Sequence, residues 1–136
     1  MMKLGIVAVL AVLVPFGAVA EGKVPLPQEA HINEQLIAGA AGDILRNECP
    51  TISAQMLVVF DKLFALQSYA KGKGYTEAEV KAFLKDKDQK ARVKAAAAEY
   101  LAVAGAKAGD SASYCTVGKA EIANGTLLGS LIKSSE

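Results

Sequence analysis

Apolar residues in the first half of the chain return every three to five positions. Ile32, Leu36, Ile37, Ala40, Ile44 and Leu45 form one stripe of an amphipathic helix. Cys49 stands at its end, and Pro50 stops it by disfavouring helical geometry at the residue before. The pattern predicts a second helix, capped by Thr51 or Ser53 and running to about Lys71. Met56, Val59, Phe60, Leu63 and Phe64 make its expected core face, and Leu57, Val58 and Leu66 widen that face, which predicts this helix as the central one.

Local signals divide the second half. In "YTEAEV", Thr76 and Glu79 form a capping box and Tyr75 can pack on Val80, so a short third helix is expected to bury Val80, Phe83 and Leu84. Asp86 with Gln89 marks the start of a fourth helix, with Val93, Ala96, Ala97, Tyr100, Leu101 and Ala104 on one face. "GDSAS" closes it and opens a last helix, with Ser111 or Ser113 as cap. There Gly118, Gly125 and Gly129 fall on the side of Cys115. Glycine inside a helix costs up to about 1 kcal/mol relative to alanine, so close packing against a neighbour is the expected reason; the alternative is a break at Asn124-Gly125. No strand-like alternation competes. The expected fold is all-α, a bundle of four to five helices.

The two ends of the chain change the picture. Residues 1–20 carry a charge at Lys3, an apolar run from Leu4 to Val14, a Pro15/Gly17 break and an Ala18-x-Ala20 site, the pattern of a secretory signal peptide cleaved after Ala20. The competing reading, a retained membrane anchor, meets a run well short of the roughly 20 residues a span requires. The expected division is therefore a leader over 1–20, a Pro25/Pro27 arm over 21–31 and one helical domain over 32–136, exported to a bacterial periplasm or secreted, with no membrane span after cleavage.

The whole chain has 136 residues and a net charge of +1. Without Lys3 its fifteen basic residues become fourteen, against fourteen acidic, and no basic stripe for nucleic acid exists. Cys49 and Cys115, the only cysteines, are expected to form a disulfide in an oxidising compartment. A redox or nucleophilic thiol is the competing reading, but they lack C-x-x-C spacing and the single His31 lies by the arm. No haem, zinc, phosphate-loop or nucleophile-elbow motif appears, and "DKDQK" fails as a calcium loop because its twelfth position is Ala97. Glu77, Glu79, Asp86 and Asp88 read as helix-start charges. The expectation is no catalytic, cofactor or metal residue, and a protein partner of unspecified identity.

The segments "NEQLIAGAAGDILRNECP", "GYTEAEV" and "YCTVGKAEIANGTLLGSLI" together resemble a family of small exported bacterial proteins of unknown function. Tyr114, Cys115, Gly118, Glu121 and Ile122 carry the most specific part, while the basic residues associated with the family's C-terminal tail are reduced to Lys133. The resemblance brings no mechanism. It implies gene neighbourhoods of the respiratory NADH:quinone oxidoreductase, and hence an accessory role at the outer face of the inner membrane. The expected function is a non-enzymatic interaction protein, with a small stress chaperone as the alternative.

Overall fold

Helix α1 (Ala30–Glu48) is the axis on which the rest of the chain is assembled in the computed structural model, which describes residues 23–136. It begins two residues earlier than the arm boundary predicts, because Glu29 turns its carboxylate back onto the Ile32 N–H at 2.6 Å. Before it, Leu26–Gln28 forms one 3-10 turn that buries Leu26. The expected leader, its expected cleavage site and the first residues of the expected arm lie outside the described residues.

The remaining elements follow in order: β1 (Ile52–Ala54), α2 (Met56–Gly72), α3 (Glu77–Lys85), α4 (Lys87–Ala104), α5 (Ser111–Ala123), α6 (Leu127–Leu131) and β2 (Ile132–Ser134). The class is all-α, with the Cys49–Cys115 disulfide in place. One feature departs from it. β1 and β2 pair antiparallel with Ser53 opposite Lys133, in strands of three residues that are too short to show as alternation.

Two apolar clusters hold the elements together. The larger joins Leu45 and Cys49 of α1 with Ile52, Leu101, Val117, Leu128 and Ile132; Leu45 and Cys49 have no exposed surface. The smaller joins Leu26 and Ile32 to Ala70, Tyr75 and Phe83, with Val80 packed against the same cluster that holds Tyr75. The capping box is complete: Thr76 accepts from the Glu79 N–H at 3.1 Å and Glu79 accepts from the Thr76 N–H at 2.8 Å. Asp86 caps α4 through the Gln89 N–H at 2.9 Å. The cap of α5 is Asp110, not Ser111 or Ser113. Its carboxylate accepts from the Ser113 N–H, while the Ser111 hydroxyl donates to the Glu48 carbonyl at 2.7 Å.

The last predicted helix is two helices. It breaks after Ala123, where Gly125 takes φ +63°, a left-handed conformation that closes α5 and lets the chain turn back. Gly125 is therefore not a packing glycine, and a Cβ there would meet nothing within 4 Å. The other two are. A Cβ on Gly118 would stand 2.1 Å from the end of the Ile52 side chain, and one on Gly129 would stand 2.1 Å from the Glu121 carbonyl oxygen. Gly129 thus belongs to α6 and lets it lie on the backbone of α5.

The expected central helix is not central. Helix α1 packs against α4, α5, α6 and β1, whereas α2 buries only Ala70 fully. Of the core face predicted for α2, Val59 is half-buried. Met56, Phe60, Leu63 and Phe64 are exposed, as is Leu57.

Candidate interaction surface

Both ends of α2 are fixed. At its start the Gln55 N–H donates to the Leu131 carbonyl at 2.8 Å, and the Gln55 side-chain amide donates to the Ile132 carbonyl at 3.1 Å. At its end Ala70 is buried in the smaller cluster and the Tyr69 hydroxyl donates to Glu29 at 2.6 Å. Between these ties runs a rigid rod, about 25 Å long for 17 residues at 1.5 Å each. Val58, Val59 and Leu66 face inward and are half-buried.

The outward face is apolar. Leu57 is 83% exposed, Phe64 67%, Met56 51%, Phe60 50% and Leu63 48%. At 100° per residue these five side chains lie within an arc of about 120° centred on Phe60. Asp61 and Lys62 fall outside that arc. A contiguous apolar patch of this kind is often a contact site. Val103 is exposed to the same 83%, but stands outside the α2 stripe, on α4.

A groove of about 260 Å³ runs beside the stripe, with Gly39 and Gly42 of α1 as one wall and Met56, Val59, Leu131 and Ile132 as the other. Asp43 and Arg46 sit at its rim as an exposed ion pair. Gly39 is notable because a Cβ there would meet nothing within 4 Å. No internal contact explains this mid-helix glycine, which leaves the groove shallow at that point.

The two buried carboxylates, Glu29 and Glu121, are occupied in holding the fold. Burial alone would raise the Glu29 carboxyl. Hydrogen bonds from Tyr69 and the Ile32 N–H, with His31 and Lys73 nearby, bring it below its ordinary range instead. The Asn33 side-chain amide, buried next to it, donates to the Leu26 and Glu29 carbonyls at 2.8 and 2.7 Å. In α5 the buried Glu121 accepts from Tyr100 at 2.8 Å and from the Thr126 hydroxyl. That bond to Glu121, followed by burial, pushes the Tyr100 phenol up. Thr126 in turn caps α6 by accepting from the Gly129 N–H at 3.0 Å. Both buried carboxylates thus serve helix starts, and among the described residues no buried side-chain polar atom lacks a partner.

The residues singled out in the sequence are therefore separated by role. Cys49 and Cys115 tie the end of α1 to the N-terminal part of α5 with Cα atoms 5.2 Å apart. Gly118 and Gly129 shape the α5 to α6 corner. His31 lies in the first turn of α1 against Tyr69, ring centroids 4.3 Å apart. Glu79 and Asp86 are caps. Among the described residues, no three His, Cys, Asp or Glu side chains gather as a metal-binding group, and no helix is long and apolar enough to cross a membrane. The stripe is visible in the sequence, where its apolar periodicity reads as core. What the arrangement offers chemically is apolar, shape-based contact.

A model of a family of unknown function (DUF5333) matches residues 24–133, from just before the 3-10 turn into β2. Comparison with curated proteins and with solved structures gives no match.

Proposed function

This chain belongs to the DUF5333 family, whose function is unknown, and we propose that it is a non-enzymatic interaction protein. Its binding surface is the outward face of α2, and its place is the exported, periplasmic or secreted, compartment as an accessory of a respiratory membrane complex. The single observation that carries the reading is the stripe of Met56, Leu57, Phe60, Leu63 and Phe64, left uncovered on a helix whose two ends are fixed. A fully paired disulfide and satisfied buried polar groups agree with a finished fold that keeps this face open. The respiratory association rests on the resemblance described above.

Photo-cross-linking in living cells tests the assignment. A benzophenone side chain placed at Leu57 is expected to give a discrete protein adduct, and one at the equally exposed Val103 none. The chain is further expected to remain with the respiratory complex when membranes are solubilised. No adduct from Leu57 or Phe64 overturns the binding surface, and loss of the chain from every membrane complex overturns the accessory role. A second reading, a small stress chaperone, draws on the same stripe. It requires that the protein suppress a client's aggregation on heating or acidification, and absence of suppression removes it.

A further inference from the structure

The stripe on α2 has a symmetry that a generic contact face does not need. Counted from Phe60, its members stand four and three residues before it and three and four residues after it. Reversing the direction of the helix leaves that spacing unchanged. On a helix of 100° per residue, Met56 and Leu63 lean to one side of the Phe60 line by about 40–60°, and Leu57 and Phe64 lean to the other by the same amounts.

We propose that the occupant of the α2 face is a second copy of this chain, paired antiparallel about a two-fold axis at Phe60. The inference rests on α2 being a binding surface and names what binds there. In such a pair Met56 of one copy lies level with Phe64 of the other, and Leu57 level with Leu63. Because the members of each pair lean to opposite sides, the side chains alternate across the seam instead of colliding. The two Phe60 rings meet on the axis. Every exposed apolar side chain of the stripe is then covered by another, which is the self-complementarity that an isologous interface demands.

Area and charge agree with this occupant. The exposed parts of the five side chains amount to on the order of 500 Å² per copy, so the stripe alone would bury about 1,000 Å² in the pair, the lower bound for a specific interface and below the roughly 800 Å² per partner of a standard one. The groove alongside, with Gly39 and Leu131 on its walls, supplies further surface, and it is open where Gly39 carries no side chain. A net charge of +1 over the whole chain gives two copies little reason to repel. A lipid surface would be better served by a basic flank. Here Asp61 and Lys62 cancel, and Lys71 continues the line of the stripe only two turns beyond Phe64.

Sedimentation equilibrium of the purified protein across a concentration series reads the result. The expected outcome is a reversible dimer. L57K and F64K should each weaken it by at least tenfold, while V103K leaves it unchanged and circular dichroism shows all three folded. The register has its own readout. M56K and F64E alone should weaken dimerisation, and M56K/F64E in one chain should recover most of it, because those positions are level in the antiparallel pair. A monomer at every concentration overturns the proposal, as does a dimer indifferent to L57K and F64K. If the monomer binds phosphatidylglycerol vesicles, or cross-links in cells from Leu57 to a different protein, the second copy is wrong while α2 survives as a binding surface. No adduct of any kind removes both.

Discussion

Alanine at Gly129 is expected to destabilise the protein by about 3–5 kcal/mol, among the largest losses a single methyl group can produce. The new Cβ would stand 2.1 Å from the Glu121 carbonyl oxygen, 2.4 Å from its carbonyl carbon and 2.8 Å from the Ile122 nitrogen. These are backbone atoms inside α5, so no rotamer change relieves the collision, and α6 must lift away. Lifting it strains the Thr126 cap and the contact of Thr126 with the buried Glu121, and it withdraws Leu128 and Leu131 from the interior. Two neighbours serve as comparators. Gly118→Ala meets the movable tip of Ile52, and Gly125→Ala meets only its own left-handed φ of +63°, which costs about 1–2 kcal/mol. Urea unfolding of the three variants should therefore rank Gly129 well above both. Equal losses at Gly125 and Gly129 would show that α6 is not seated on α5 as described.

Removing the disulfide is the second large effect. Cys49 is fully buried at the end of α1, Cys115 lies in the N-terminal part of α5, and their sequence separation is 66. Closing a loop of that size restricts the unfolded chain by about 4 kcal/mol on the chain-entropy model, and native disulfides of small domains are worth 2–5 kcal/mol in practice. The double variant C49A/C115A is expected to lose that amount, a fall in Tm of roughly 10–20 °C for a domain of this size. The Ser111 hydroxyl on the Glu48 carbonyl remains as a weaker tie between the same two helix ends. Thermal unfolding of wild type with and without reductant checks it independently. A midpoint unmoved by reduction would mean that the bond contributes little.

Much of this fold is legible in the sequence because its cues act over a few residues. Pro50 ends α1 after Cys49, Thr76 and Glu79 start α3, and Asp86 starts α4, each through contacts within one turn. The disulfide is legible from scarcity, two cysteines in a chain whose first residues read as an export signal. The break at Gly125 is half-legible: Asn124-Gly125 signals a turn, yet the run of apolar residues continues on both sides, and only the backbone angle decides. Two three-residue strands leave too little alternation to detect.

The orientation of α2 is where periodicity stops informing. Spacing says which side chains share a face, and on α2 both faces are apolar: Val58, Val59 and Leu66 on one, Met56, Leu57, Phe60, Leu63 and Phe64 on the other. Which one is covered depends on the ties at its ends. Gln55 on Leu131 and Ile132, and Tyr69 on Glu29, turn the smaller set inward. The proposed binding surface thus lies in the strongest hydrophobic pattern of the chain, where core and contact site look alike.

One equilibrium measurement separates those two meanings. The unfolding free energy of L57S/F64S, taken at high dilution so that association between copies does not contribute, should lie within about 0.5 kcal/mol of wild type per substituted site. A loss of about 2–5 kcal/mol for each side chain, the cost of truncating packed core residues, would place the stripe inside the protein and contradict the account.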